Sequence, residues 1–346
     1  MEKFDFDDIR LVAATVSNIN SRSEINPFYK NGFLPLFTAP MDTVVNLKNC
    51  NKFNDNKINV VLPRENYTMG LTSEIRFCSM GIEEFEDMYC EIDGPVKIFE
   101  KFYILLDVAN GHMKRVHDAV KKAKENFGDN LILMAGNVAN PKTFTLLSEA
   151  GANFIRVGIG NGNACTTTKQ TTIGYPMASL VLECKKEADI MKDSGIVPAY
   201  IVADGGMKDY SDIILALALG ADYVMVGSLF NKMLESCGST YYKNELIDQY
   251  SSKALDLFNT GAVLTKEFRG MSTKVVQKKW GKTILKTSEG IETTRDVKYT
   301  LKGWTENFTD YLRSTMSYTD SRTLEDFIGE AEWISITNKS FKRFDK

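Results

Sequence analysis

Several features that would assign a protein to a familiar class are missing from this sequence. Its six cysteines are scattered over 346 residues without a C-x-x-C pair, which argues against a disulfide framework and a zinc site. No apolar run approaches the roughly 18–20 residues of a membrane span, and the acidic N-terminus lacks the apolar segment of a signal peptide. The formal net charge is only −3, so no nucleic-acid partner is expected. We therefore expect a cytoplasmic protein with reduced thiols.

Histidine is also scarce, since the chain contains only His112 and His117. His117 lies in a predicted amphipathic helix, residues 116–127, and we assign it a structural role. A catalytic pair of cysteine and histidine, as in cysteine proteases, is therefore not expected.

Eight short apolar runs, rich in residues that favour strands, are present. They lie at 34–39, 58–62, 75–78, 103–108, 131–134, 154–157, 200–203 and 223–226, and the run at 75–78 is the weakest. The runs are continuous rather than alternating, as in strands buried on both faces of a parallel sheet. Helical patterns separate them. One helix, for example, begins after Asn140 with Pro141 and stops at Gly151.

Residues 150–158 and 219–227 repeat each other in character: a helix end, a glycine, a buried strand and another glycine. Two such junctions among eight strands favour a closed barrel over a doubly wound sheet, which would carry an early G-x-G-x-x-G. We predict one (β/α)8 TIM-barrel domain, residues 1–346, with a C-terminal extension after residue 230. Residues 268–290 are predicted to form a mobile flap over the barrel mouth, and an ordered surface excursion is the alternative.

Glycines and polar residues follow the predicted strands, whose carboxyl ends form the active face of this fold. Asp204-Gly205-Gly206 follows the seventh strand and Gly227-Ser228 the eighth. Barrels commonly hold a phosphate at these two places, on main-chain N–H groups. The glycines could simply turn the chain. A third glycine-rich loop after the sixth strand, however, makes a phosphorylated ligand the better hypothesis.

That third loop, residues 158–165 (GIGNGNAC), ends at Cys165. Exposed N–H groups in such a loop attract anions and favour a thiolate. A thiolate at a barrel mouth can attack an electrophilic carbon. The residues alone leave two interpretations open, a small buried hydrophobic side chain and a nucleophile. We take the nucleophile as the working hypothesis.

Residues 158–167 (GIGNGNACTT) resemble the catalytic loop of the IMP dehydrogenase / GMP reductase family. Further stretches resemble the family in its own order: 37–44 (FTAPMDTV), 134–138 (MAGNV), 203–206 (ADGG), 225–228 (MVGS), 269–272 (RGMS), 288–290 (SEG) and 312–314 (LRS). The chain looks most like the reductase branch. It lacks the regulatory insert of most IMP dehydrogenases, and residues 271–289 lack the Arg-Tyr pair with which those enzymes activate water.

The resemblance implies reductive deamination of GMP, or of a related guanine nucleotide, to IMP with NADPH. Cys165 would form a covalent thioimidate at C2 of the purine, with Thr167 and Glu289 as general acid/base partners. The implied substrate-binding residues are Met41, Gly162, Asn163, Asp204, Gly205, Gly206, Gly227, Ser228, Arg269, Gly270 and Met271. The implied cofactor-binding residues are Asp107, Ala109, Asn137 and Ser79. The family likeness also implies a homotetramer and allows K⁺ or Na⁺ at Gly158, Gly160 and Cys165.

The chain departs from the family pattern at three places. Asn163 stands where a phosphate-binding serine is usual, and Thr168 stands where an arginine is usual. Reductases carry His-Lys-His-Tyr after the second strand, and here residues 64–67 read RENY. The cation of that lysine has therefore either been replaced by Glu65 or moved to Arg64. Two rival hypotheses stay open. One is an IMP dehydrogenase without the regulatory domain, and the other is a purine-nucleotide sensor or scaffold without catalytic activity.

Glu65 leads to a prediction of its own. The reductases to which the chain is similar carry a lysine there, near the reacting centre, so Glu65→Lys is expected to raise turnover on GMP. The measurement is kcat for GMP-dependent oxidation of NADPH. If activity collapses instead, Glu65 has a role of its own in this protein.

Overall fold

The computed structural model describes residues 2–64, 76–90 and 101–344. Its strands are β1 Ile9–Leu11, β2 Leu36–Thr38, β3 Val60–Leu62, β4 Arg76–Met80, β5 Phe102–Asp107, β6 Leu131–Val138, β7 Phe154–Val157, β8 Tyr200–Asp204, β9 Tyr223–Val226, β10 Thr240–Tyr242, β11 Glu245–Ile247, β12 Leu264–Arg269, β13 Glu292–Asp296 and β14 Trp333–Ser335. Its helices are α1 Cys50–Asp55, α2 Ile82–Cys90, α3 Lys114–Phe127, α4 Pro141–Glu149, α5 Thr167–Thr171, α6 Met177–Asp193, α7 Tyr210–Ala218, α8 Ser228–Asn231, α9 Ser252–Asn259, α10 Lys274–Lys279, α11 Leu301–Tyr318, α12 Leu324–Phe327 and α13 Asn338–Phe344.

Strands β2 to β9 form a parallel barrel. Their order in the sheet is β2-β9-β8-β7-β6-β5-β4-β3, and each hydrogen-bonded pair is parallel. The Asn59 N–H donates to the Leu36 carbonyl at 3.1 Å, which joins the chain beside β3 to β2 and closes the barrel. The predicted (β/α)8 TIM barrel is therefore confirmed. All eight predicted runs contribute a strand, and the weakest of them, 75–78, overlaps the first three residues of β4.

Two apolar layers stabilise the barrel, as the hydrophobic effect requires of a sheet buried on both faces. The inner layer fills the barrel with side chains such as Phe37 and Phe77, whose rings meet edge to face with centroids 5.7 Å apart. The outer layer lies between the strands and the surrounding helices. In α3, Val116, Val120 and Phe127 face this layer, so the predicted amphipathic helix is confirmed.

The two repeated junctions share a structural reason for their glycines. Gly151 follows α4 with φ of +103°, and Gly220 follows α7 with φ of +110°. A Cβ atom would lie 2.9 Å from Lys124 Cγ at the first site and 2.5 Å from Lys185 Cγ at the second. Each lysine stem therefore packs over its glycine, and the left-handed conformation ends the helix there.

The remaining elements lie outside the barrel. Strands β11-β10-β12-β13 form an antiparallel sheet, and the predicted flap is the segment between β12 and β13, which contains α10. Strand β1 pairs with β14, so segments near the two ends of the chain meet. Among the described residues, no helix is long and apolar enough to cross a membrane.

A buried lysine fixes the chain where it leaves the barrel. Lys266 on β12 is 0% exposed. Its ammonium group donates to the carbonyls of Met233, Leu234 and Ser236 at 3.0, 2.8 and 2.8 Å. A buried charge is tolerated when hydrogen-bonding groups replace its water. The three carbonyls do this here, and in return the lysine orders the turn that follows α8.

Replacing this lysine should destabilise the protein. Lys266→Met keeps the length of the side chain but removes a buried donor that three carbonyls share, so the free energy of unfolding should fall by about 3 kcal/mol. Urea unfolding measures the change. Lys302 is a matched control because its side chain is 79% exposed, and Lys302→Met should cost less than about 0.5 kcal/mol. Equal stabilities of the two variants would contradict the assigned role of Lys266.

Candidate active site

A cavity of about 310 Å³ opens at the carboxyl ends of the barrel strands, a volume within the range of small-molecule sites. The fold brings most of the predicted site residues into its lining. They are Met41, Asp107, Ala109, Asn137, Gly158, Gly160, Gly162, Asn163, Cys165, Thr167, Asp204, Gly205, Gly206, Gly227, Ser228, Gly270, Met271 and Glu289.

Two predicted site residues, Ser79 and Arg269, point away from this lining. Ser79 on β4 is 4% exposed, and its hydroxyl donates to the Leu62 carbonyl at 2.6 Å. Arg269 at the end of β12 pairs with Asp42, with its Nε 3.0 Å from Oδ1 and its Nη2 2.6 Å from Oδ2. Proximity to a motif in the sequence does not fix the direction of a side chain, and these two bind neighbouring elements instead.

Cys165 begins a chain of three reactive groups. Its Sγ lies 3.2 Å from Thr167 Oγ1, to which the thiol donates. The Thr167 hydroxyl donates in turn to Glu289 Oε2. Glu289 lies 122 positions further along the sequence than Thr167, so the fold alone brings these groups together. A thiol, a hydroxyl and a carboxylate in this order can move a proton between Cys165 and Glu289.

Main-chain hydrogen bonds fix Glu289 beside the cysteine loop. The Thr166 N–H donates to the Glu289 carbonyl at 2.8 Å, and the Ile291 N–H donates to the Ala164 carbonyl at 3.1 Å. These bonds form an isolated antiparallel bridge between Cys165 and the residue after Glu289. The end of the flap is therefore joined to the cysteine loop like a strand to its neighbour.

The shape of the cysteine loop depends on its glycines. Gly158 has φ of +130°, and a Cβ there would lie 2.3 Å from the Asp204 carbonyl oxygen. Gly160 has φ of +79°, and a Cβ there would lie 1.8 Å from Thr168 Oγ1. The Thr168 hydroxyl donates to the Ile173 carbonyl at 2.8 Å. Thr168, one of the departures from the family pattern, therefore fastens this loop to the turn that follows α5.

The loops after β8 and β9 pack against the same loop. Gly205 and Gly206 both have φ of +90°, and a Cβ on Gly205 would lie 2.9 Å from the Gly162 nitrogen. The side-chain amide of Asn163 donates to Ser228 Oγ at 2.8 Å. Residues without side chains let a ligand approach the main chain closely. This side of the cavity, which we call the glycine side, is thus suited to a phosphate.

Arg156 links Asp204, on the glycine side, to Asp107, another residue of the cavity lining. It lies on β7 and is 7% exposed, with its Nη1 2.7 Å from Asp107 Oδ1 and its Nη2 2.7 Å from Asp204 Oδ2. Arg64 Nε donates to Asp107 Oδ2 at 3.2 Å, and Asn137 Nδ2 donates to Asp204 Oδ2 at 2.7 Å. Burial alone would raise the pKa of Asp107, but the charges of Arg64 and Arg156 outweigh it and lower that pKa.

Arg156 and Trp280 both line the cavity, but neither was among the site residues predicted from the sequence. Arg156 gave a signal, because a charged residue inside a buried strand needs a charged partner. Its Nε is buried and has no hydrogen-bond partner among the described residues. Trp280 gave no signal beyond its place in the flap.

Arg64 also lines the cavity, whereas Glu65, Asn66 and Tyr67 lie outside the described residues.

The fold and the site together define a class: a (β/α)8 barrel with a cysteine in a nucleotide-sized cavity. A family model described as the IMP dehydrogenase / GMP reductase domain matches residues 98–344. The chain therefore belongs to the IMP dehydrogenase / GMP reductase family, as its sequence motifs predicted.

Individual relatives are similar over different parts of their length. GMP reductase 2 of Mus musculus is 29% identical in an alignment of 363 positions, which covers 97% of this chain and 95% of that protein. GMP reductase of Caenorhabditis elegans is 31% identical over 240 residues, 69% of this chain and 60% of that protein. Inosine-5'-monophosphate dehydrogenase of Chlorobaculum parvum is 33% identical over 240 residues, 69% of this chain and 46% of that protein.

Removing Arg156 tests the ion network. Arg156→Leu should lower the free energy of unfolding by about 3–5 kcal/mol near neutral pH, because the buried carboxylates lose a partner. The lowered pKa of Asp107 stabilises the wild type above the unfolded carboxyl pKa of about 3.9, and that contribution is lost as the pH falls through the folded value.

In Arg156→Leu the pKa of Asp107 should rise, and protonation then relieves the charge penalty. The difference in stability from the wild type should therefore shrink as the pH falls from about 7.5 to about 5. Urea unfolding of both proteins at each pH measures this. A difference that does not depend on pH would mean that Arg156 acts by packing alone.

Proposed function

We propose that this protein is a GMP reductase-like oxidoreductase, which converts GMP or a related guanine nucleotide to IMP with NADPH. The observation that carries the proposal is the chain Cys165–Thr167–Glu289 at the edge of the cavity. The similarity to a mammalian GMP reductase over nearly the whole of both proteins supports it. Binding alone would not require a thiol and a proton relay in one place.

In the first step, the Cys165 sulfur attacks C2 of the purine and the bond from C2 to the exocyclic amine breaks. The amine needs a proton to leave as ammonia. Thr167 is the direct neighbour of the sulfur, and Glu289 is the carboxyl group behind it. The proton taken from the thiol can therefore reach the leaving amine through these two residues. The product of this step is a thioimidate on Cys165.

NADPH, when bound, supplies a hydride. The lining residues Asp107, Ala109 and Asn137 fit such a reactant, because the buried Nε of Arg156, which has no partner among the described residues, offers a donor beside them. Cys165 then leaves C2 as a thiolate, which restores the free enzyme. The reaction balances as GMP, NADPH and two protons giving IMP, NADP⁺ and an ammonium ion.

On the glycine side we propose that Asp204 binds the ribose hydroxyls and that Gly205, Gly206, Gly227 and Ser228 hold the 5′-phosphate. By the same resemblance we propose a single-domain protomer, a mobile flap, a homotetramer and a cytoplasmic enzyme. A monovalent cation would lie on the cysteine loop. There the Gly158 carbonyl already accepts the Asn137 amide at 2.8 Å, which leaves one lone pair of that oxygen for a cation.

The similarity to a bacterial inosine-5'-monophosphate dehydrogenase favours a second candidate function. That reaction would use the same cysteine to oxidise IMP with NAD⁺ and then hydrolyse the adduct to XMP. It needs a group that activates water, and residues 271–289 contain no arginine and no tyrosine. We therefore rank it second.

One assay separates the two candidates. The protein is mixed with GMP and NADPH, then with IMP and NAD⁺, while the absorbance of the reduced cofactor is followed. We expect GMP-dependent loss of NADPH, which should fall more than about a thousandfold in Cys165→Ala. Growth of NADH with IMP would contradict the reductase. Binding of GMP without either reaction would favour a nucleotide sensor.

The proton relay has a matched control on the same helix. Thr167→Val removes the relay hydroxyl and should slow turnover about a hundredfold. Thr171 lies one turn later in α5 and its side chain is exposed, so Thr171→Val should keep activity within about twofold of the wild type. Equal activities of the two variants would remove Thr167 from the mechanism.

A further inference from the structure

The cavity has two sides, and two reactants must meet at Cys165. The glycine side is suited to the phosphate of the nucleotide. A second group of lining residues, which we call the far wall, consists of Arg64, Asp107, Val108, Ala109 and Trp280. The contacts of Arg64 with Asp107 and with Trp280 join this group. The second reactant must approach the same carbon atom from this remaining side. Trp280 is the part of the far wall that the flap contributes.

The flap is attached to the barrel in two different ways. Its two ends are held by main-chain hydrogen bonds. The Thr166 N–H donates to the Glu289 carbonyl at 2.8 Å, which joins the flap to the cysteine loop, and the Gly270 N–H donates to the Ile291 carbonyl at 3.0 Å, which joins the two ends to each other. Its middle, around residues 279–282, contacts the barrel through side chains. The nucleotide side therefore keeps its flap residues even if the middle of the flap detaches.

Among the described residues, three side-chain contacts hold the middle of the flap, one at each of three successive barrel units. Lys279 Nζ lies 2.6 Å from Asp42 Oδ2, after β2. The ring of Trp280 lies under the guanidinium of Arg64, after β3, with 4.6 Å from Cζ to the ring centroid. Lys282 Nζ lies 3.4 Å from Glu83 Oε2, at the start of α2.

These contacts differ in strength. The Lys279–Asp42 pair is strong, because the Asp42 side chain is only 5% exposed, but neither residue lines the cavity. Lys282 and Glu83 have side chains that are 55% and 69% exposed, and such surface pairs contribute little. The Arg64 side chain is only 20% exposed, and a cation–π contact is stronger where water is excluded. Arg64 is also held in place, since its Nε donates to Asp107 and a Cβ on Gly81 would lie 2.9 Å from its Nη1.

We propose that Arg64 is a positioning residue that docks Trp280 on the far wall, so that binding of the cofactor, but not of the nucleotide, depends on the Arg64–Trp280 contact. This inference rests on the proposed function. Arg64 links Trp280 to Asp107 and, through Asp107, to Arg156. Closure of the flap therefore places Trp280 beside the charged residues Arg64, Asp107 and Arg156 and completes the far wall. The glycine side is already formed by the barrel loops.

Binding measurements in a Cys165→Ala background test the proposal, because this background allows both reactants to bind without turnover. Isothermal titration calorimetry measures Kd for GMP, then Kd for NADPH with GMP saturating. Arg64→Leu and Trp280→Leu should each weaken NADPH binding about tenfold and leave Kd for GMP within about twofold. Trp280→Phe keeps an aromatic ring and should recover most of the affinity.

Two comparisons make the test specific. The double variant Arg64→Leu/Trp280→Leu should bind NADPH no more weakly than either single variant, since both changes remove one contact. Lys282→Gln, which removes a charge from the same part of the flap, should bind NADPH within about twofold of the parent. In the parent, bound NADPH should also quench Trp280 fluorescence by energy transfer, and Arg64→Leu should reduce that quenching.

The outcomes separate this inference from the proposed function. If the background protein binds neither GMP nor NADPH, the proposed function is wrong and the inference falls with it. If both bind but Arg64→Leu and Trp280→Leu leave NADPH affinity unchanged, the inference alone is wrong. Tighter NADPH binding in either variant would mean that the docked flap competes with the cofactor. Additive losses in the double variant would mean that Arg64 acts through Asp107 and not through Trp280.

Discussion

The two ion pairs of Arg156 are the constraint on which the rest of the site depends. One guanidinium, buried on β7, holds Asp107 on one side and Asp204 on the other at 2.7 Å each. Buried carboxylates are costly unless they are paired. Arg156 therefore holds the two carboxylates of the cavity, Asp107 and Asp204, in fixed positions relative to one another. In the proposed function, this strand residue and not a loop would set the distance between the two reactants.

The flap adds residues to this frame from outside the barrel. Its end brings Glu289 to Thr167 through main-chain bonds, and its middle brings Trp280 to Arg64, between the ion pairs Lys279–Asp42 and Lys282–Glu83. Closure excludes water from a reactive intermediate. Under the proposed function, opening of the middle of the flap would let the cofactor enter and leave while the nucleotide, held covalently at Cys165, stays on the barrel.

The sequence predicted the parts that depend on local rules. Continuous apolar runs predicted the eight barrel strands, and glycines at residues 151 and 220 predicted the junctions. The position of loops after strands predicted the glycine-rich part of the cavity lining, and the family resemblance implied most of the other lining residues. The sequence did not predict the directions of Ser79 and Arg269, because hydrogen bonds to Leu62 and Asp42 decide them across the fold. Likewise, the meeting of Arg64 with Trp280 joins residues more than two hundred positions apart and has no local signal.

Covalent chemistry at Cys165 is the central claim, and the mass of the cysteine peptide tests it most directly. The protein is incubated with GMP and a limiting amount of NADPH, and the reaction is quenched with acid during turnover. The protein is then digested, and the masses of its peptides are measured by mass spectrometry. The account predicts that the peptide containing Cys165 carries a purine nucleotide that has lost its exocyclic amine. Turnover without any adduct, or an adduct on one of the other five cysteines, would contradict it.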